Sequence, residues 1–244
     1  MDTTFTISPV TVADGPALAA VCIPAFWTDP HWRLEWRHRT LDYHISQVAL
    51  RYPRNLLRNR LTARHQKAVD NTTGEILGYA RWSLPASHAT TPVENGTDAE
   101  PAWPEALVPP VSADEEAEIV RVADTAVWDP DLTSDPLLDA PMTIKGEILA
   151  QGTFMTLDYL AVHPKHQRRG VATALVRSGM REAGALGLDI FVHAMRPGVP
   201  VYMRLGFRLE RELAQDDSMY GGPGLFSDYF LILEQPIVPE AGKE

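Results

Sequence analysis

The residues with the clearest chemical potential lie in one stretch, Gln167-Arg-Arg-Gly-Val-Ala172, where a strand pattern gives way to a helix pattern. The first turn of a helix leaves four backbone N–H groups unpaired, and the aligned peptide dipoles add partial positive charge there. Small residues at Gly170 and Ala172 let a phosphate approach the backbone, and Arg168 and Arg169 add positive charge. The stretch therefore predicts an anion site, although it matches neither a Walker loop nor a dinucleotide fingerprint.

Two regular elements must position this loop. A run of aliphatic and aromatic residues predicts a strand over Leu157–Val162 that Pro164 ends. From Val171 onwards apolar residues recur near helical spacing, and Gly184 and Gly187 end the predicted helix. The order strand, loop and helix places the anion site at the start of the helix.

This strand, the pattern Gln167-x-x-Gly170-x-Ala172 and the following helix resemble the acetyl-CoA pyrophosphate loop of the GNAT superfamily of N-acetyltransferases. A second strand over Leu188–His193 follows, and Pro200–Phe207 then resembles the family's Tyr-x-x-x-Gly-Phe segment. The resemblance implies an α/β (α+β) fold with a GNAT-like mixed, mostly antiparallel sheet flanked by helices. It also implies a bulge that splays the fourth and fifth strands apart.

The same resemblance implies acetyl-CoA as the cofactor. The strand edge would pair with the pantetheine amides, and a strand N–H would polarise the thioester carbonyl. Backbone amides of the loop would take the pyrophosphate. The residues expected to bind the coenzyme are Leu160, Ala161, Val162, Gln167, Arg168, Arg169, Gly170, Val171, Ala172 and Thr173.

Tyr202 occupies the tyrosine position of the family segment, which implies that its phenol protonates the departing thiolate. A tyrosine in water has a pKa of roughly 10, so it is protonated at neutral pH. Asp158 and His193 are alternative general bases, and an imidazole titrates close to neutral pH. A proton relayed by solvent without any base is a third alternative.

No metal site is expected. His163 and His166 have the spacing of a ligand pair, but the sequence offers no third ligand nearby. The single cysteine, Cys22, excludes an internal disulfide and is expected to be a small apolar residue of the first helix.

Length and composition predict a single domain over residues 1–244. With 45% hydrophobic and 22% charged residues, 244 residues can bury one sizeable core. The sequence suggests neither a signal peptide nor a membrane span, so we expect a cytoplasmic protein, as a monomer or homodimer, that does not act at a membrane.

Negative charge is concentrated in an insertion at about residues 85–142, where thirteen acidic residues face one basic residue, Arg121. The net charge of −10 argues against nucleic acid as a partner. It favours a cationic amine or a basic peptide if the insertion lies near the cleft. Within the insertion we predict a mobile linker or lid over Pro85–Pro110, a helix from Ser112 to Val127 and a loop over Asp129–Pro141.

The remaining chain agrees with the family pattern. A hairpin is predicted from Ala63–Val69 and Ile76–Leu84. Helices are predicted over Arg33–Leu61, with their arginines either on a solvated face or, as an alternative, binding phosphate. By resemblance, the loop Phe26–Trp32 contacts the acceptor. Its two tryptophans, Asp29 and His31 could form a pocket wall, and the tryptophans could equally be ordinary packing.

The sequence therefore predicts transfer of an acetyl group from acetyl-CoA to a primary amine of a small molecule. Two alternatives stay open. One is a protein or peptide N-acetyltransferase, and the other is a GNAT-fold module that binds acyl-CoA without transferring the acyl group.

Overall fold

A computed structural model describes residues 4–92 and 99–235 of the chain. Its strands are β1 (Phe5–Pro9), β2 (Ala63–Asp70), β3 (Ile76–Ser83), β4 (Thr90–Pro92), β5 (Ala99–Pro101), β6 (Phe154–Val162), β7 (Asp189–Met195), β8 (Arg208–Asp216) and β9 (Leu225–Leu233). Its α-helices are α1 (Gly15–Trp27), α2 (Leu41–Leu56), α3 (Ala113–Asp124), α4 (Asp139–Leu149), α5 (Val171–Leu186) and α6 (Val199–Arg204). None of the described helices is long and apolar enough to cross a membrane.

Seven strands form one sheet in the order β1-β2-β3-β6-β7-β9-β8, and β4 and β5 form a separate hairpin. Among the described strands of the large sheet, only β6 and β7 are parallel neighbours. The predicted mixed, mostly antiparallel sheet flanked by helices is confirmed. The predicted β2–β3 hairpin and the strand–loop–helix unit of β6 and α5 also agree with the structure.

The sheet opens between β6 and β7. The two strands pair only from Phe154 opposite Asp189 to Leu157 opposite Val192. On the other side of β6 the register with β3 shifts at the same level, and Asp158 is the extra residue. A bulge bends and twists its strand, which is why β6 leaves β7 here. The expected splay is therefore present, and the described part of the chain supplies no strand partner for the β7-facing edge of β6 beyond Leu157.

Helices cover both faces of the sheet. On one face, α5 packs over a core that contains Leu77, Trp82 and Met155. On the other face, α1 and α2 cover the sheet near Tyr79 and Ala161. Because successive strand residues alternate between faces, the same strands contribute residues to both layers.

A glycine lets α5 approach β3 closely. A Cβ atom added at Gly179 would overlap the indole ring of Trp82, which is fully buried. Trp82 therefore fills the space that any larger residue would need, and the position of α5 over the sheet depends on it.

Gly179→Ala should lower the free energy of unfolding by about 1–3 kcal/mol, the usual cost of overpacking a core. The matched control is Gly146→Ala in α4, where an added Cβ has no neighbour within 4 Å. That change should raise stability by up to about 1 kcal/mol, because alanine is the better helix former. Urea unfolding of both variants measures the difference, and a Gly179→Ala protein as stable as the wild type would contradict this packing.

The described parts of Pro85–Pro110, predicted as a mobile linker or lid, form short elements packed against the core, while residues 93–98 lie outside the described residues. The β4–β5 hairpin is flanked by Ala89, Ala102 and Trp103, which are buried in the core. The fully buried Arg64 donates to the backbone carbonyls of Ala102 and Ala89, at 2.7 and 3.1 Å. Alanines and an arginine thus anchor a stretch whose composition suggests a linker.

The prediction of a loop over Asp129–Pro141 is wrong. A 3-10 turn over Leu132–Leu138 leads directly into α4, whose Ile144 and Ile148 pack against Phe191 and Phe230 of the sheet. Prolines and a glycine weaken the local helix signal, and contact with the buried aromatic residues of β7 and β9 stabilises the helix instead.

Some arginines of the second helical region form ion pairs with the insertion, whereas others, such as Arg58, are exposed as predicted. Arg54 pairs with Asp124 at 2.7 Å and Arg60 with Glu116 at 3.4 Å, both on α3. Arg39 is almost fully buried and binds the carboxylate of Asp129. Acidic residues of the insertion thus anchor it to α2, which could not be inferred from the charge pattern alone.

Candidate active site

The loop between β6 and α5 has the backbone geometry of an anion site. Arg168 and Gly170 adopt φ values of 65° and 83°, both in the left-handed region. Left-handed residues in a turn gather successive N–H groups into an anion-binding concavity, and the helix N-terminus beside it adds further donors. Gly170 immediately precedes α5, so its conformation sets the direction in which these donors point.

The space over this loop is open. A Cβ atom added at Gly170 would have no neighbour within 4 Å. The side chain of Arg169 is directed sideways to Asp70, at 3.1 Å, and to His166, at 3.2 Å. Gln167 donates back to the carbonyl of Val162 at 3.4 Å, which fixes the start of the loop. The loop backbone therefore lies free for a pyrophosphate, and these residues fit that group.

The free edge of β6 lies next to the loop. Leu160, Ala161 and Val162 pair with β3 on one side only, opposite Ala80, Tyr79 and Gly78. A Cβ atom at Gly78 would come within 2.9 Å of the Ala161 carbonyl and of the Val171 side chain. This close approach of β3, β6 and the start of α5 brings the strand edge and the anion loop into one site.

Tyr202 lies on α6 and is 4% exposed. Its ring packs against Phe207, with the ring centroids 5.4 Å apart. The hydroxyl has no hydrogen-bond partner among the described residues, and it is not one of the fully enclosed polar atoms. Burial raises the pKa of this phenol, so it carries its proton at all physiological pH values.

His193, near the end of β7, lines a cavity of about 720 Å³. Its Nε2 lies 2.7 Å from Oδ1 of Asp228, and its ring stacks on Phe230 at 4.7 Å. The Nδ1 atom has no partner among the described residues. A carboxylate that accepts from Nε2–H leaves the lone pair on Nδ1, which makes the imidazole a proton acceptor.

A second histidine–carboxylate pair lines the same cavity. Nδ1 of His31 lies 2.5 Å from Oδ2 of the fully buried Asp217, and the imidazole stacks on Phe226 at 4.4 Å. His31 lies in the predicted acceptor loop Phe26–Trp32, whereas Asp217, Asp228 and Phe226 were not predicted to be site residues. Local sequence carries no signal for them, because His31 and Asp217 are 186 positions apart.

Carboxylates dominate the charge of this cavity. Among the described residues, the acidic ones that line it are Asp29, Glu35, Asp135, Asp217 and Asp228, and the only arginine or lysine is Arg196. Burial, followed by the charge of Asp135, raises the pKa of Glu35. The charge of Asp135 thus disfavours ionisation of Glu35, and a bound cation would relieve this repulsion.

Asp158 lies apart from His193, because it lines a second cavity of about 300 Å³ on the α2 side. It accepts a hydrogen bond from Ser83 and another, at 3.1 Å, from Thr156. The ammonium group of Lys145 lies 3.8 Å away. The two alternative bases therefore serve different cavities.

The sequence model of the acetyltransferase (GNAT) family matches residues 27–207. The chain belongs to the GNAT family. GNAT acetyltransferases generally use acetyl-CoA, and the free β6 edge and the open loop fit that molecule. No curated protein matches the chain significantly.

Solved structures share the GNAT fold at low sequence identity. A Corynebacterium glutamicum protein described as histone acetyltransferase HPA2 and related acetyltransferase is 18% identical, with a TM-score of 0.55 over 97% of this chain and 99% of that chain. A putative arylalkylamine N-acetyltransferase 7 from the yellow fever mosquito is 14% identical, with a TM-score of 0.57 over 94% and 86%. These likenesses concern the fold.

The two tryptophans of the acceptor loop, Cys22 and His166 were also considered as site residues of the GNAT chain. Trp32 lines the larger cavity, whereas Trp27 packs on Trp32 and His44. Burial raises the pKa of Cys22 to about 12, so this thiol is inert at neutral pH. His166 lies 3.0 Å from Glu75. Among the described residues, no cluster of three potential metal ligands occurs.

Proposed function

We propose that this GNAT protein transfers an acetyl group from acetyl-CoA to the primary amine of a small cationic molecule. The observation that carries the proposal is the excess of carboxylates in the larger cavity. His193 and Met195 of β7 border this cavity, beyond the point where β6 and β7 separate. An ammonium group would gain from this field, and the cavity of about 720 Å³ suits a small molecule. The fold neighbour from mosquito is named for an amine acceptor, in keeping with this class.

Acetyl-CoA supplies, when bound, an acetyl group activated as a thioester. In the proposal the N–H groups from Arg168 to Thr173 bind its pyrophosphate, and the edge of β6 over Leu160–Val162 pairs with its amides. A backbone N–H near Leu160 or Val162 polarises the acetyl carbonyl. Such a donor is fixed before the substrate binds, so it requires no rearrangement during the reaction.

Tyr202 is the proposed acid. Its hydroxyl lacks a protein partner, and burial keeps the phenol protonated, so Oη holds a proton that it can donate to the departing thiolate. The ring contact with Phe207 fixes the direction of the hydroxyl.

His193 is the proposed base, acting on the ammonium group of the acceptor directly or through water. Asp228 orients the imidazole and leaves Nδ1 free, and both residues line the acidic cavity. Asp158 is the weaker candidate, because its two oxygens are already held by Ser83 and Thr156 and it lines the other cavity.

His193→Gln should lower kcat/KM by about 10²-fold, the lower end for general bases, because water can replace part of the relay. The control is His88→Gln, since among the described residues His88 bonds only its neighbour Ser87 and lines neither cavity. An unchanged kcat/KM in His193→Gln would return the base role to Asp158 or to solvent.

A titration with acetyl-CoA, run beside a thiol-release assay on a panel of amines, tests the proposed function. The panel contains cationic diamines, neutral amines, amines that carry a carboxylate, and basic peptides. We expect binding of acetyl-CoA and the fastest turnover with the cationic small amines. Turnover restricted to peptides would support a peptide N-acetyltransferase, and binding without any turnover would support a module that only binds acyl-CoA.

A further inference from the structure

The second cavity has a composition opposite to that of the first. It measures about 300 Å³ and lies between α2, the start of β2, the end of β3 and the bulge of β6. Three arginines line it, Arg51, Arg58 and Arg81, together with one carboxylate, Asp158. At neutral pH the formal charge of these four residues is 3 − 1 = +2, so an anion would be attracted into this space.

The three arginines have no acidic partner among the described residues. Arg51 stacks over the ring of Trp128 at 3.7 Å, and Arg81 lies 5.8 Å from the ring centre of Tyr159. Arg54 and Arg60 lie close to Arg51 and Arg58 in the chain but do not line the cavity, and both pair with carboxylates of α3. Of these five arginines, the three that line the cavity are the ones without an acidic partner among the described residues.

Asp158 does not neutralise them. One of its oxygens accepts from Ser83 and the other accepts from Thr156 and faces Lys145, so its charge is shared with groups other than the arginines. Burial, followed by repulsion from Arg54 and Arg58, lowers the pKa of Arg51. An anion in the cavity would offset both effects.

A buried histidine supplies an independent observation. His65 is 3% exposed, and its Nδ1 lies 2.7 Å from the Tyr79 hydroxyl. Its other nitrogen, Nε2, is fully buried without a hydrogen-bond partner, and the residue lines the second cavity. In the tautomer in which the Tyr79 hydroxyl donates to Nδ1, Nε2 carries the ring proton and is a donor without an acceptor among the described residues.

The protonation state of His65 fits this role. Burial, followed by the charges of Arg81 and Arg64, lowers the pKa of His65 to about 4, so the imidazole is neutral at neutral pH. A buried donor left unpaired costs free energy, and an acceptor oxygen in the cavity would remove that cost. Nε of Arg51 is a second fully buried donor without a partner.

We propose that the second cavity is a binding site for a small oxyanion, a phosphate or carboxylate group, held by Arg51, Arg58, Arg81 and the Nε2–H group of His65. Guanidinium groups present paired donors that match the two oxygens of either group. The site is distinct from the α5 loop, and it borders the bulge at Asp158 where β6 leaves β7. It goes beyond the proposed acetyl transfer and does not depend on it.

Calorimetric titration with inorganic phosphate, and in parallel with succinate, tests the site. The protein is first saturated with coenzyme A, so that the α5 loop is filled. We expect one binding event that Arg58→Gln weakens by about tenfold or more, because a charged hydrogen bond is lost. Arg58 is exposed and unpaired, so this change leaves the core intact. The control Arg121→Gln removes an arginine that pairs with Glu118 outside the cavity and should leave affinity unchanged.

Absence of binding by the wild type would overturn the proposal. So would binding by Arg58→Gln and Arg81→Gln that is as tight as binding by the wild type. Two kinetic arms identify the source of the anion. If the acceptor carries it, Arg58→Gln raises KM for an amine with a carboxylate but not for the matched amine without one. If it is a separate ligand, added phosphate changes the kinetics of both amines in the wild type but not in the variant. The titration decides the matter even for a protein without transferase activity.

Discussion

Gly170→Asp should weaken the binding of coenzyme A by about 10²–10³-fold, because the new carboxylate would lie beside the pyrophosphate. Two unit charges about 4 Å apart repel by about 4 kcal/mol near a protein surface, and each 1.4 kcal/mol is a factor of ten in affinity. The fold should persist, since a Cβ atom added at Gly170 has no neighbour within 4 Å.

The matched control is Gly170→Asn. The φ of 83° at Gly170 strains any side chain, but asparagine and aspartate both tolerate the left-handed region and have nearly the same shape. The difference between the two variants therefore isolates the charge. Calorimetry gives both affinities, and thermal unfolding shows whether each variant is folded. Equal coenzyme affinity in Gly170→Asp and the wild type would remove the α5 loop from the binding site.

Tyr202→Phe should slow the chemical step by about 10²- to 10⁴-fold, the usual contribution of a positioned general acid. A thiol in water has a pKa of roughly 8.5, so its thiolate is not a very poor leaving group and the lower end applies. Stability should hardly change, because the hydroxyl has no protein hydrogen bond to lose and the ring keeps its contact with Phe207. Binding of coenzyme A should also stay unchanged.

Single-turnover measurement with a verified acceptor separates this step from product release. The loss should appear in kcat as well as in kcat/KM, since the proton is donated mainly in the transition state. Tyr43→Phe is the control, because it removes a surface hydroxyl far from both cavities. A Tyr202→Phe protein with full single-turnover activity would show that this residue only packs, and would return the acid role to water or to His193.

Burial of Tyr202 adds a pH dependence to the same test. Because burial raises the pKa of the phenol, the acid stays protonated as the pH rises through the range where an exposed tyrosine would titrate. Loss of activity at alkaline pH should therefore not arise from Tyr202. Its removal should lower the whole profile without shifting the alkaline limb.

Local chemistry determined the parts of the site that the sequence could predict. The loop is defined by backbone rules that act within a few residues. These rules concern a strand that Pro164 stops, a glycine before a helix, and the start of that helix. The positions of the β6 edge and of Gly170 follow from those rules. The mixed, mostly antiparallel sheet was instead expected from the resemblance to the GNAT family.

Tertiary structure alone decided what surrounds that loop. Asp217 reaches His31 and Asp228 reaches His193 because β8, β9 and the α1–α2 loop meet at the end of the sheet. These partners are far apart in the chain, so no local periodicity marks them. Long-range packing likewise stabilises α4, which the aromatic residues of β7 and β9 cover despite a weak helical pattern.

The arginines show the same division most clearly. The sequence determined that α2 and the residues after it would be rich in arginine and the insertion rich in acid. Only the folded structure decided that Arg54 and Arg60 form ion pairs with carboxylates of α3. Arg51, Arg58 and Arg81 instead line a cavity and have no ion-pair partner among the described residues. Charge is a property of each residue, but neutralisation depends on distances of a few ångströms, which the folded chain alone fixes.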